Sequence, residues 1–176
     1  MVEIRRIDEK HKQDINLPNE PFSLYGRMIP SYIDRQWRYD IVYFEKEDVS
    51  EMCFPDENYD YDAMKDNHAF IGAYDGEKCI GLAILRDAWF QYLYLYDLKV
   101  ARNYRQQGVG QALIDGAKKL CREKGYGGLY THGQDNNLSA CRFYIKAGFY
   151  IGGFDSNVYK GTNQAGKADI TFYLDC

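Results

Sequence analysis

The chain has 176 residues, 22 Lys plus Arg against 26 Asp plus Glu, and 16% aromatic side chains, including 17 tyrosines. That length supports one domain able to bury a core without staples, and the aromatic content argues against long disordered regions. A net charge of −4 excludes a general nucleic-acid binder, which normally carries a basic domain. The charge is unevenly placed. Residues 45–66 carry nine acids (Glu45, Glu47, Asp48, Glu51, Asp56, Glu57, Asp60, Asp62 and Asp66) against Lys46 and Lys65, a local charge of −7. Residues 99–146 carry nine basic side chains against Asp115, Glu123 and Asp135, a local charge of +6.

From Met1 to Lys12 charged and apolar residues alternate, without the apolar core of a signal peptide. No later apolar stretch approaches the roughly 18 residues of a membrane span. The five cysteines (Cys53, Cys79, Cys121, Cys141, Cys176) are odd in number and form no CxxC. Neither a disulfide framework nor a zinc clip is suggested, and a reducing cytosol fits best. The expectation is a soluble, cytoplasmic protein with no membrane partner.

All four prolines lie in the first third, which reads as short elements and loops with one strand at Tyr39 to Phe44. The pattern then sharpens. Ala69 to Tyr74 and Cys79 to Leu85 have strand length, and Asp75-Gly76-Glu77-Lys78 between them has hairpin-turn chemistry. Tyr92 to Tyr96 lacks a polar break and reads as a strand buried on both faces. Val109, Ala112, Leu113, Gly116, Ala117, Leu120 and Cys121 form one face of an amphipathic helix that Gly125 ends. Leu129 to Thr131 is a short strand. Asn136 or Asn137 caps a second helix, with Ala140, Phe143, Tyr144 and Ala147 at helical spacing and Gly148 stopping it. Phe149 to Phe154 and Ile170 to Leu174 close the series. The order β-β-β-α-β-α-β-β predicts a mixed α/β fold, with a mostly antiparallel central sheet flanked by helices.

Arg105-Gln106-Gln107-Gly108-Val109-Gly110 places two glycines where a loop turns into a helix. Such a start either makes a tight turn or aims free N–H groups at an anion, a pyrophosphate being the natural guest. The dinucleotide fingerprint GxGxxG fails, because Leu113 stands at its third glycine position. Gly161 to Ala168 imitates a P-loop, but Ala168 replaces the magnesium-binding hydroxyl and a strand follows, so it reads as a hairpin connection. His11, His68 and His132 show no metal spacing. A Cys141/His132 nucleophile pair is outweighed by Cys141 as a small buried hydrophobe.

The loop Arg105 to Gly110, following Asp97-Leu98-Lys99-Val100, resembles the GNAT superfamily of acetyl-CoA-dependent N-acyltransferases. So does the later run Asn137-Leu138-Ser139-Ala140-Cys141-Arg142-Phe143-Tyr144, followed by Gly148-Phe149. This resemblance covers roughly residues 65–176 and implies a GNAT fold with acetyl-CoA as cosubstrate and no metal. It implies that Arg105, Gln106, Gln107, Gly108, Val109, Gly110 and Gln111 form the pyrophosphate loop, largely through backbone N–H groups. A bulge around Leu98, Lys99 and Val100 would free backbone groups for the pantetheine arm, with Val100 N–H polarising the thioester carbonyl. Asn137 would bind the pantetheine amide, and Tyr144 would protonate the departing thiolate or else serve only as a core aromatic. The acceptor amine must lose a proton, and Asp97 is the candidate base, unless it only organises the bulge. Many members of the superfamily have a Glu near the place of Tyr96.

Asn19-Glu20-Pro21-Phe22, Ile29-Pro30, Trp37, Gln134-Asp135-Asn136-Asn137-Leu138, Ala140-Cys141 and Ile151-Gly152 are similar to the streptothricin acetyltransferases over essentially the whole chain. That likeness implies acetylation of the β-lysine arm of streptothricin and hence resistance to the antibiotic. Asp56, Glu57, Asp60 and Asp62, interleaved with Tyr59 and Tyr61, then either bind a small cationic amine or form a solvated acidic loop. Other acceptors remain open: a polyamine, an aminoglycoside or a protein amine. A non-catalytic CoA-binding regulatory domain is the reading from another class. The expected organisation is a single domain, with residues 1–65 on the substrate side and 66–176 as the acetyl-CoA core. Exposed edge strands make a homodimer reasonable.

Overall fold

A computed structural model describes residues 2–176. In chain order its strands are β1 (Glu3–Arg6), β2 (Phe22–Leu24), β3 (Gly26–Ile33), β4 (Gln36–Tyr43), β5 (Ser50–Met52), β6 (His68–Asp75), β7 (Lys78–Arg86), β8 (Tyr92–Val100), β9 (Gly128–Gln134), β10 (Tyr150–Asp155) and β11 (Asp169–Asp175). The α-helices are α1 (Tyr61–Met64), α2 (Val109–Glu123) and α3 (Leu138–Lys146), and short 3-10 segments lie at Glu9–Asn16, Lys46–Asp48 and Arg102–Tyr104. The architecture is mixed α/β, and its sheet pairings β1–β6, β6–β7, β7–β8 and β10–β11 are all antiparallel. The described residues divide into two compact units, one formed by residues 2–20, 54–129 and 175–176, the other by 21–53 and 130–174.

In the first unit β1, β6, β7 and β8 are neighbours in that order. The β6–β7 hairpin turns through Gly76 at φ +61°, in the left-handed region where glycine costs nothing. One sheet face packs on α2, whose Val109, Leu113, Ile114, Ala117, Leu120 and Cys121 are buried. Glycine permits this closeness: a Cβ added to Gly81 would meet Leu113 at 3.0 Å, and one added to Gly116 would meet Ile4 at 3.0 Å. The other face carries a cluster of Ile7, Ile15, Phe70, Tyr74, Leu82 and Ile84, against which Leu17, Tyr59, Tyr61 and Met64 pack. The segments 7–17 and 59–64 therefore cover the sheet face opposite α2.

Strand β8 corrects the sequence reading. Leu93 and Leu95 are buried, but Tyr92 and Tyr94 are only half-buried and Tyr96 is exposed. The run alternates like a one-sided strand, and its tyrosines form a face of their own: Tyr94 and Tyr96 meet edge to face, with the Arg86 guanidinium 5.0 and 5.3 Å from their ring centres. The expected bulge is also displaced. Ile84 pairs with Asp97 and Leu85 with Leu95, so Tyr96 is the extra residue, while the ladder runs on regularly through Leu98, Lys99 and Val100.

In the second unit β3 and β4 form an eight-register hairpin from Gly26↔Tyr43 to Ile33↔Gln36. It turns through Asp34 and Arg35 at φ +52° and +61°, a primed turn built without glycine. β2 pairs with β5, and β9, β11 and β10 are neighbours. Asn137 is the cap of α3, its side chain accepting from the Ala140 N–H at 3.2 Å. The face that α3 buries is Leu138, Cys141 and Tyr144, one step round from the Ala140 and Phe143 stripe that spacing favoured. Residues 156–168 are turns between β10 and β11, as read for the P-loop imitation.

Candidate active site

The loop between β8 and α2 is shaped by two left-handed residues, Gln106 at φ +60° and Gly108 at φ +85°. Left-handed backbone costs a non-glycine residue about 1–2 kcal/mol, so strain is held at Gln106. The Arg105 side chain folds back, donating from Nε to the Val100 carbonyl at 3.0 Å and from Nη2 to the Glu20 carbonyl at 3.4 Å. Glu20 also accepts from the Arg102 N–H, and Gln107 donates to the Asn103 carbonyl at 2.7 Å. The side chains of Arg105 and Gln107 thus build the loop, leaving its backbone to meet a ligand.

Gly108 is the N-cap of α2 and supplies no side-chain cap. The N–H groups of Val109, Gly110 and Gln111 consequently have no intrahelical partner. No acidic residue stands in the first turn to repel an anion, and a Cβ at Gly108 would meet nothing within 4 Å. Positive helix end, free donors and open approach fit a pyrophosphate.

The end of β8 supplies further backbone groups. Ala101 N–H donates to the Ile80 carbonyl at 2.9 Å, and Lys99 stands opposite Leu82. In an antiparallel ladder this directs the backbone groups of Leu98 and Val100 away from β7. An N–H of Val100 is therefore oriented to donate outside the β7–β8 ladder.

On the face opposite α2, Asp97 and Lys99 sit two residues apart and converge with residues 57–59. Tyr59 Oη donates to Asp97 Oδ2 at 3.1 Å, Lys99 Nζ lies 3.3 Å from Asp97 Oδ2 and 2.5 Å from Glu57 Oε2, and it also approaches the Leu17 carbonyl at 3.4 Å. Asp97 and Lys99 side chains are only 16% and 8% exposed. Burial raises the Asp97 carboxyl above its ordinary value, with Glu57 adding to the rise and Lys99 and Tyr59 opposing it. Burial, aided by the negative charge of Asp97 and Glu57, pushes the Tyr59 hydroxyl upward, so it remains a donor at neutral pH. Tyr96 stands 6.1 Å from Tyr59, ring centre to ring centre, and edge-on to His68 at 5.3 Å. This is a partly buried carboxylate under an aromatic wall, capable of taking a proton from an amine.

The sequence reading places Lys99 in the site only through its backbone and Tyr59 only within the acidic segment; the contacts of their side chains with Asp97, and of Glu57 with Lys99, arise only through the fold. The acidic segment is otherwise occupied with local structure. Asp56 accepts from the Asn19 N–H at 2.7 Å, and Asn19 Nδ2 donates to the Pro55 carbonyl and to Glu57. Asp60 caps α1 through the N–H groups of Asp62 and Ala63. Asp62 pairs with Lys65 and Lys12 at 2.6 and 3.4 Å. Of the four acids named from the sequence, Glu57 is the one brought to Asp97.

In the second unit Asn137 and Tyr144 lie on one side of α3, two turns apart. Tyr144 is 8% exposed, with its ring 5.3 Å from both Phe149 and Phe172. The Cys141 thiol is buried and pushed up to about 12, chiefly by burial, an inert thiol rather than a nucleophile. The Gln-Asp-Asn-Asn run is in part structural: Asp135 accepts from the Ala168 N–H at 3.0 Å and pairs with Arg27 at 3.2 Å.

Residues 32–149 match the Acetyltransferase (GNAT) family. The chain belongs to that family. It is 35% identical to streptothricin acetyltransferase A of Bacillus subtilis (strain 168) over 97% of this chain and 98% of that one. It is 25% identical to an Escherichia coli streptothricin acetyltransferase over 91% of this chain and 79% of that one. A Bacillus anthracis (strain Ames) protein assigned as a streptothricin acetyltransferase, solved with acetyl coenzyme A, superposes at TM-score 0.89 with 29% identity over 100% of both chains. A nourseothricin acetyltransferase, 22% identical over 99% of this chain and 98% of that one, shares the fold at TM-score 0.81. The protein is an acetyl-CoA-dependent N-acetyltransferase of GNAT fold. Among the described residues no helix is long and apolar enough to cross a membrane.

Proposed function

We propose that this N-acetyltransferase modifies an amino group on the β-lysine arm of streptothricin, removing a positive charge that the antibiotic needs and so conferring resistance. The observation that carries the reading is the 35% identity with a streptothricin acetyltransferase along 97% of the chain, which includes the N-terminal third that the loop motifs do not reach.

In this reading the N–H groups around Gln106 to Gln111 bind the pyrophosphate of acetyl-CoA, and Leu98 to Val100 receive the pantetheine arm, whose amide Asn137 also binds. Acetyl-CoA supplies the thioester. Asp97 takes a proton from the ammonium, whose free pKa near ~10.4 leaves it almost wholly charged at neutral pH. The freed nitrogen forms a bond to the acetyl carbonyl carbon, Val100 N–H stabilises the oxygen, and the carbon–sulfur bond breaks. Tyr144 gives its proton to the departing thiolate, a transfer from a phenol near ~10 to a thiol near ~8.5 that requires direct contact, and the second proton shed by the new amide nitrogen restores the phenol, while the first leaves Asp97 for water. Residues 1–65 shape the amine side, the carboxylate of Glu57 and the ring of Tyr59 favouring a cation.

The test is thiol release from acetyl-CoA by the purified protein offered streptothricin, spermidine, an aminoglycoside and a peptide amine in turn. Release with streptothricin well above the others is expected. Release with spermidine or the aminoglycoside but not with streptothricin would overturn the assignment.

A further inference from the structure

Lys99 is a buried ammonium that the chemistry above does not use. Its three protons face three acceptors, Glu57 Oε2 at 2.5 Å, Asp97 Oδ2 at 3.3 Å and the Leu17 carbonyl at 3.4 Å, so its side chain is fully engaged inside the protein. The groups around Asp97 are few. On its own strand stand Lys99 and Tyr96, and from the segment before α1 come Glu57 and Tyr59. On β7 its register partner is the apolar Ile84, while Arg86 lies over the rings of Tyr94 and Tyr96. On β6 His68 meets the edge of Tyr96. One cation and one further carboxylate therefore dominate the field at Asp97.

We propose that Lys99 and Glu57 are positioning residues that set, in opposite directions, the pH at which Asp97 can accept a proton from the acceptor amine. The inference rests on Asp97 being the base. With both carboxylates ionised the cluster keeps one net negative charge, the complement of one incoming ammonium. Lys99 favours the ionised form of Asp97 and offsets part of the effect of burial, since an opposite charge at such a distance lowers a carboxyl pKa by ~1–3 units. Glu57 holds Lys99 in place and at the same time resists ionisation of Asp97, keeping the carboxylate basic enough to be useful. The arrangement balances availability of the base against its strength.

The test compares Lys99→Met, Glu57→Gln and the double variant with the parent protein. Two readouts are followed against pH: the Asp97 carboxyl 13C resonance, assigned with Asp97→Asn, and kcat/KM for streptothricin. Lys99→Met is expected to move the Asp97 titration up by ~1–3 units, and Glu57→Gln to move it down by roughly one unit. If Lys99→Met does not fold because two carboxylates lose their partner, the double variant must titrate above Glu57→Gln alone. No movement, or movement in the same direction in both single variants, overturns the inference. Opposite movements of the resonance with an unmoved kcat/KM limb uphold the tuning and refute Asp97 as the base.

Discussion

At Asp97 two influences compete within a few ångströms. Removal from water favours the protonated acid, whereas Lys99 and the Tyr59 hydroxyl favour the carboxylate, and burial prevails. The sign for activity follows directly. A base is competent when deprotonated, so kcat/KM should fall as pH drops through the raised Asp97 value, above the ordinary carboxylate range near ~3.9. Asp97→Asn should lower kcat/KM by ~10²–10⁴-fold and abolish that limb; full activity with the limb intact would remove Asp97 from the chemistry. Tyr59→Phe deletes one donor to the carboxylate, which should shift the limb to higher pH while leaving KM for acetyl-CoA unchanged. A pH profile of that variant coincident with the parent's would mean that the 3.1 Å contact has no part in setting the base.

The elements separate residues that build the site from those that face ligand. The start of α2 depends on Gly108 at φ +85°, where an alanine would cost about 1–2 kcal/mol. Gly108→Ala should therefore weaken acetyl-CoA binding by ~5–30-fold, read by calorimetry, with the KM of the amine unchanged. Unaltered binding would mean that the loop need not hold this backbone. Helix α1 shows the other case. Asp60 caps it, so Asp60→Ala should lower unfolding free energy by ~1 kcal/mol in urea and leave the amine KM alone. A raised amine KM at unchanged stability would return Asp60 to the substrate side. Asn137 is intermediate: its Oδ1 accepts from the Ala140 N–H at 3.2 Å, which uses one of its two acceptor positions, and its Nδ2 is the group able to donate to a carbonyl. Substitution of Asn137 removes the cap of α3 together with any ligand contact it makes.

Across the whole molecule, the legible parts were those fixed by local backbone chemistry. Asp75 to Lys78 announced a hairpin, Gly108 the turn from loop into helix, Gly125 and Gly148 the helix ends, and from Ala69 onward the order of strands and helices followed. Other features depend on residues far apart in the chain. Asp34 and Arg35 turn a hairpin without glycine, and Pro30 hid β3 because proline is tolerated where a two-stranded ribbon leaves one edge unpaired. The tyrosines of β8 read as doubly buried because a ring counts as apolar until its neighbours are known. Glu57 meets Lys99 across 42 positions, and Asn19 and Glu20 tie residues 55–57 and Arg102 to the N-terminal segment, giving structural reasons for a motif visible only as a likeness. The split charge took on a different meaning too, since Asp56, Asp60 and Asp62 cap and tether while Glu57 reaches in from the surface to the buried Lys99. Selectivity for one antibiotic amine is measured most directly by internal competition. Streptothricin, spermidine and an aminoglycoside are offered together at equal concentration with limiting acetyl-CoA, and the acetylated products are read by tandem mass spectrometry. The expected result is acetyl almost entirely on the β-lysine arm of streptothricin; acetyl distributed evenly, or found chiefly on spermidine or the aminoglycoside, would contradict it.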